Sequence, residues 1–362
     1  MPKASPPYKV LIVDDSAVVR RMITDSLKGA KDIEVVGRAA DPYQARDMIN
    51  QLKPDILTLD IEMPRMDGLT FLKIIMEQCP MPVIIVSSLS QKNSKHTIQA
   101  LSLGAADVLA KPDGAHSLGK VGDLLQDRIR GILSSERHFD KVLLKPGATS
   151  QDAAKNIHNQ INTIASKGPF HPQSIGLIGA STGGTIALRK IFENLPSNAP
   201  GMCIVQHMPA GITKAFAESL NSVSQMTVRE AKDGDYVEHG LALVAPGDFH
   251  MLLMADSKGY RVKLKQSPKV WYQRPAVDVL FKSAASVVSH RAVAAVLTGM
   301  GRDGAEGLLK LKSTGAATIA QDAASSTVYG MPKAAYDLGA AKRVLSLEAI
   351  ATSMLQLFRR NG

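Results

Sequence analysis

Cysteine is nearly absent: only Cys79 and Cys203 occur in 362 residues. They lie about 120 positions apart, with no metal-type spacing. This excludes a disulfide scaffold and a cysteine zinc site, and suits a reducing compartment. Long hydrophobic runs are also missing. The longest, "VLIV", "PVIIVSSL" and "AVAAVL", are strand-sized and far short of the roughly 18 residues of a membrane span. The first ten residues, "MPKASPPYKV", hold no apolar segment, so no secretory signal is expected and a cytoplasmic location follows. The eight histidines other than His207 show no ligand spacing, so no structural or catalytic zinc is expected. Internal repeats, low-complexity tracts and a helix-turn-helix pattern are absent as well, which argues against a DNA-binding output.

What is present is soluble globular chemistry, with 45% hydrophobic and 21% charged residues. The length exceeds one ordinary core and favours two domains. The formal charge of +10 is unevenly placed. Residues 1–115 balance 14 basic against 14 acidic side chains, whereas residues 172–362 carry 21 against 14. The surplus is scattered without a basic stripe, which fits an acidic macromolecular partner at least as well as nucleic acid.

Residues 9–112 alternate short apolar runs with helical patterns. "KVLIV", "IEVVGRA", "DILTLD", "PVIIVSS" and "DVLAK" read as strands, and segments such as "AVVRRMITDSL" as helices. A helix over 117–133 closes this part. The pattern predicts a doubly wound parallel sheet. Residues 134–171 are polar and punctuated and read as a linker, with a helical turn or two near 151–165. A second alternating series runs from Ser174: "SIGLIGA", "GMCIVQH", "GLALVAP", "RAVAAVLTG", "AATIAQ" and "KRVLS" as strands, with a β-hairpin, "HMLLMAD" and "YRVKLKQ", inserted. The expected division is 1–133, linker 134–171 and 172–362, both domains α/β with doubly wound parallel sheets.

In the first series Asp14 and Asp15, Asp60, Ser87 and Lys111 fall at the carboxyl ends of the first, third, fourth and fifth strands. Those ends line one crevice. Three carboxylates in one pocket call for a hard cation, Mg²⁺ above all. Lys111 and the Ser87 hydroxyl are placed to meet a phosphoryl group on Asp60. A single strand-end aspartate is more often a helix cap, but five coincidences are not. "LIVDDSAVVR", "DILTLDIEMPRMDGLTFL", "VIIVSSLS" and "GAADVLAKP" closely resemble a response-regulator receiver domain of flavodoxin-like fold. The resemblance implies Asp60 as phosphoacceptor, Asp14 and Asp15 as metal ligands, Ser87 as switch hydroxyl and Lys111 as phosphate contact. Val108 stands where such domains often carry an aromatic switch residue, so no aromatic rotamer switch is expected.

In the second series "IGLIGASTGG" (175–184) runs a strand into Gly179-Ala180-Ser181-Thr182-Gly183. This Gly-x-Ser-x-Gly turn suits a nucleophile elbow or a phosphate loop at a helix start. A Walker lysine is missing, and the next strand ends in His207 rather than in a ribose-binding carboxylate. That tilts the choice toward serine catalysis with His207 as base. Asp278 and Asp303 compete to orient the imidazole. Asp278 has a sufficient task at a helix start, and Asp303 lies in the glycine loop "LTGMGRDGAEG", so Asp303 is favoured. His250, Trp271, Arg274, Asp322 and Tyr329 stand lower.

"IGASTGG", "IVQHMP", "LVAPGDFHM", "RPAVDVLF", "VLTGMGRDGAEGL" and "AQDAASSTVYGMPKAA" resemble the catalytic domain of the chemotaxis protein-glutamate methylesterases. The resemblance implies Ser181 as nucleophile, His207 as base, Asp303 as orienter and the Met300 N–H as oxyanion donor. Elbow geometry adds the Thr182 N–H as a second donor. It further implies a phosphorylation-activated hydrolase acting on glutamyl methyl esters, and on glutamines, of chemoreceptor helices, with a chemosensory histidine kinase as phosphodonor. The esterase reaction then needs no cofactor, and no nucleic-acid partner is expected. The competing expectation is a response regulator whose α/β output domain binds a protein or nucleotide without chemistry.

Overall fold

The computed structural model describes residues 6–88, 91–111, 115–134 and 151–360. The chain divides into two compact units, Met1–Pro146 and Gly147–Gly362.

In the first unit the elements run β1 (Tyr8–Val13), α1 (Ala17–Leu27), β2 (Ile33–Ala39), α2 (Pro42–Leu52), β3 (Ile56–Leu59), α3 (Gly68–Gln78), β4 (Val83–Ser87), α4 (Gln91–Ser102), β5 (Asp107–Ala110) and α5 (Ala115–Ser134). The sheet order is β2-β1-β3-β4-β5 and every pairing is parallel. This is the flavodoxin-like order, with its switch point between β1 and β3. Strands covered on both faces read as unbroken apolar runs, and β3 and β4 are buried at every position. Helices α1, α2 and α3 start on side chains that satisfy their first N–H groups. Ser16 accepts from Val19, Asp41 from Tyr43 and Gln44, and Asp67 from Thr70.

The second unit opens with α6 (Gln151–Ala165), inside the expected linker 134–171; residues 135–150 of that linker lie outside the described residues. Ile161, Ile164 and Phe170 are buried. Phe170 meets Phe358 edge-on at 6.3 Å, and the Arg359 guanidinium lies 3.8 Å from the Phe170 ring centre. Ile161 and Ile164 share one face of the helix and Phe170 follows it, enough to hold the segment in spite of its polar average.

Then follow β6 (Ile175–Ala180), α7 (Gly184–Phe192), β7 (Gly201–Gln206), α8 (Thr213–Asn221), β8 (Thr227–Glu230), β9 (Leu241–Val244), β10 (His250–Asp256), β11 (Gly259–Lys265), α9 (Val277–Ala284), β12 (Ala292–Val296), α10 (Ala305–Ser313), β13 (Ala317–Gln321), α11 (Met331–Asp337), β14 (Arg343–Leu345) and α12 (Leu347–Arg360). Seven strands form a parallel sheet in the order β14-β13-β12-β6-β7-β9-β8, a Rossmann-like arrangement. β10 and β11 pair antiparallel as a separate hairpin, from His250 opposite Lys265 to Asp256 opposite Gly259. The sequence pattern foresees neither β8 nor α12. β8 is a four-residue edge strand with one buried side chain, too short to show alternation. β6 pairs with β12 on one side and β7 on the other, so the chain reverses direction across the sheet there. A crevice opens at such a switch point, outside the carboxyl ends of the strands.

Candidate functional site

Ser181 follows β6 directly, His207 follows β7, and the loop 297–304 follows β12. All three lie at the carboxyl edge, around the switch point. The backbone binds them together: the Ser181 N–H donates to the Thr298 carbonyl at 3.0 Å and the His207 N–H to the Ala180 carbonyl at 3.0 Å. The Gln206 amide Nε2 donates to the carbonyls of both Ser181, at 2.9 Å, and His207, at 3.2 Å.

His207 and Asp303 meet at 2.8 Å, Nε2 to Oδ2, with both side chains 2% exposed. Asp303 also accepts the Val277 N–H at Oδ2, 2.7 Å, and the Asp278 N–H at Oδ1, 2.8 Å. Both belong to the first turn of α9, a helix without a side-chain cap of its own. Asp303 therefore fills the acceptor role that a cap residue normally plays. Because its carboxylate only accepts, the His207 proton belongs on Nε2, which leaves Nδ1 as the acceptor nitrogen.

Glycine is required at two close approaches. A Cβ on Gly179 would run into the Val277 side chain, and one on Gly299 would stand 2.6 Å from Ser181 Cβ. The second approach brings the backbone at Gly299, the residue before Met300, against the serine. Among the described residues the Met300 N–H donates to no backbone carbonyl. Thr182 is buried, and its carbonyl accepts from Thr298 Oγ1 at 2.9 Å.

Asp278 is committed elsewhere. It accepts Trp271 Nε1–H at 2.9 Å and the Gly307 N–H at 2.7 Å, and pairs with Lys282 at 3.4 Å. Arg274 is held by Asp248 and the Ser267 carbonyl. His250 is fully buried; its Nδ1 accepts the Ala276 N–H at 3.2 Å and its Nε2–H donates to the Pro268 carbonyl at 3.0 Å. Burial lowers its pKa, with Arg274 acting in the same direction and the Pro268 carbonyl and Asp303 opposing. Asp322 holds the turn before α11 by accepting from Ser325. Tyr329 forms a bridge with Gly299. Sequence reasoning overlooked Gln206 and Thr298. The only signal for Gln206 is a polar residue closing an otherwise apolar strand, and Thr298, in the loop after β12, leaves none.

In the first unit Asp14, Asp15, Asp60, Ser87 and Lys111 gather at the carboxyl edge of the five-stranded sheet. Lys111 Nζ lies 2.7 Å from Asp60 and 2.9 Å from Asp14. Asp14 and Asp60 are buried and Asp15 exposed. One carboxylate oxygen from each of the three lies within 4.8 Å of the others, so their hard donors fit a metal ion. Burial raises the Asp60 pKa to about 6 against the opposing pull of Lys111, with Asp14 pushing the same way as burial. Ser87 is buried and donates to the Ser88 carbonyl at 3.3 Å. Val108 is buried in β5.

Among the described residues no helix is long and apolar enough to cross a membrane. Residues 176–354 match the CheB methylesterase family, and residues 10–121 match the response regulator receiver domain. A protein-glutamate methylesterase/protein-glutamine glutaminase of Syntrophus aciditrophicus is 47% identical over 351 residues, 96% of this chain and 98% of the relative. One from Sulfurimonas denitrificans is 45% identical over 354 residues, 96% of this chain and 98% of the relative. The crystal structure of the Thermotoga maritima CheB methylesterase catalytic domain is 41% identical, with a TM-score of 0.51; the match covers 52% of this chain and all of that one. By sequence over nearly its whole length, and by the fold of its second unit, the chain belongs to the CheB family of methylesterases that carry a receiver domain.

Proposed function

We propose that the chain is a phosphorylation-controlled serine hydrolase that demethylates glutamate γ-methyl esters, and deamidates glutamines, on chemoreceptor cytoplasmic helices. In this reading residues 1–133 are the receiver and 172–362 the catalytic domain. The observation that carries it is the His207–Asp303 hydrogen bond at the sheet edge that also holds Ser181.

Ser181 Oγ attacks the ester carbonyl while His207 Nδ1 takes its proton, and Asp303 stabilises the resulting imidazolium. The oxyanion lies against the Met300 and Thr182 N–H groups, each such donor contributing about 3 kcal/mol to the transition state. The imidazolium returns its proton to the departing methoxide, releasing methanol. Water activated by His207 then cleaves the acyl-serine to leave a glutamate. A glutamine side chain follows the same course and releases ammonia.

Control lies at Asp60, the phosphoacceptor for the chemosensory histidine kinase. Lys111 pairs with the phosphoryl oxygens and the Ser87 hydroxyl bonds to them, drawing both away from their present partners. Asp14, Asp15 and Asp60 would hold Mg²⁺, which when bound offsets the charge of carboxylates and phosphoryl group. A decisive switch requires the phosphoryl group to favour the active arrangement by roughly 3 to 5 kcal/mol. The test is methanol release from methylated chemoreceptor membranes with and without a small phosphodonor. Ser181→Ala abolishes release and Asp60→Asn removes the response to phosphodonor; full release by Ser181→Ala would refute the assignment.

A further inference from the structure

Among the described residues no large apolar or aromatic side chain is more exposed than Tyr272, at 92%. Its backbone is strained. Val270 and Gln273 exchange both backbone hydrogen bonds, at 3.1 and 2.9 Å, around Trp271 and Tyr272, whose φ values are 50° and 61°. Positive φ at both central residues is the type I′ arrangement, which proteins ordinarily build from Asn-Gly. Two aromatic residues are poorly suited to it. Strain of this kind persists where the surroundings impose it, and it clusters at functional sites.

The surroundings here are those of the catalytic loop. Trp271 Nε1–H donates to Asp278 Oδ2 at 2.9 Å, and the Arg302 guanidinium lies 5.1 Å from the Trp271 ring centre. Asp278 lies in the first turn of the helix whose first N–H groups Asp303 accepts, and Arg302 is the residue before Asp303. Trp271 is thus fixed from two sides by neighbours of the catalytic carboxylate. Tyr272, one residue on, is turned out to solvent.

We propose that the Trp271–Tyr272 turn is a docking finger for the polypeptide that flanks the scissile glutamyl side chain, with Tyr272 its contact residue. This rests on the esterase reading above. The charge around the finger fits that occupant: Lys269, next to the turn, and Arg302, over the Trp271 ring, are exposed, while Asp278 is buried and paired. Each turnover leaves a carboxylate on the substrate, so a segment with several modifiable glutamates is anionic. The turn gives that segment a basic rim and an aromatic face continuous with the catalytic loop.

The full-length chain, activated with a phosphodonor, is assayed on methylated chemoreceptor membranes and, separately, for Ser181 labelling by a small fluorophosphonate. Tyr272→Gly is expected to lower kcat/KM on receptors about tenfold, mainly through KM, while labelling stays within about twofold. Glycine is suited to the second central position of the turn, so Tm is expected to hold or rise by roughly 1 to 3 °C. Tyr272→Phe keeps receptor turnover within about threefold, because the aromatic face remains. Unchanged receptor turnover in Tyr272→Gly, or labelling that falls in parallel with it, overturns the proposal. Failure of the wild-type chain to label at Ser181 overturns the nucleophile reading itself, a different result.

Discussion

Replacing Asp303 by asparagine separates its proposed catalytic role from its structural one. The carboxylate accepts from three donors: His207 Nε2–H at 2.8 Å, the Val277 N–H at 2.7 Å and the Asp278 N–H at 2.8 Å. An amide has one accepting oxygen, so its NH₂ group must face at least one of these donors. With the oxygen kept toward His207 and Val277, the Asp278 N–H is stranded at a cost of about 1 to 3 kcal/mol. With the amide reversed, His207 must move its proton to Nδ1, the nitrogen proposed to accept from Ser181. In the first case the imidazolium loses its charge partner, and in the second the tautomer is wrong. Turnover is expected to fall by roughly three to four orders of magnitude, and Tm by about 2 to 10 °C for a unit of this size. Asp278→Asn is the control, because its carboxylate also accepts from Trp271 and Gly307 and pairs with Lys282. It should cost comparable stability and far less turnover. Methanol release from receptor membranes and a thermal melt on both variants decide the matter. If Asp303→Asn keeps turnover within tenfold of wild type, or Asp278→Asn loses as much, the division between the two aspartates is wrong.

Gly299→Ala sets a Cβ 2.6 Å from Ser181 Cβ; shifting the serine by about 1 Å is expected to cost roughly a hundredfold in turnover, measured as methanol release. His250 is neutral and buried in the folded chain with a lowered pKa, so the unfolded chain binds more protons once the pH falls below about 6.5. Its stability contribution is complete above that pH and is lost as the pH falls toward the folded value. Denaturation midpoints at pH 7.5 and 5.5 should differ, and His250→Asn should narrow the difference. Burial pushes the Cys203 thiol up to about 12, so iodoacetamide at pH 8 should leave it intact in the native chain while the half-buried Cys79 reacts; mass spectrometry of the alkylated peptides reads this directly.

Periodicity carries the fold because burial imposes it. Strands such as β6 and β12 are buried at every position and appear in the sequence as unbroken apolar runs. Their carboxyl ends then place Ser181, His207 and Asp303 near one another before any coordinate is known. Gln206 and Thr298 escape such reasoning because they act on backbone groups. A side chain that accepts a peptide N–H or donates to a carbonyl leaves no spacing in the sequence. β8 escapes for the opposite reason: at the sheet edge a strand needs little apolar surface, and Val228 is its only buried side chain.

The start of α9 shows why stability and chemistry are hard to separate in this unit. That helix has no side-chain cap, and its first two N–H groups are taken by Asp303, while His250 takes the Ala276 N–H before them. Val277 packs where side chains on Gly179 and Gly304 would otherwise sit, joining the serine turn to the aspartate loop. A capping residue from within the helix would release Asp303 from this duty, but the carboxylate would then lose two of the three bonds that fix its direction. Borrowing the Asp303 carboxylate as the cap orders helix and imidazole together. Displacing the start of α9 should therefore reach His207 without touching it.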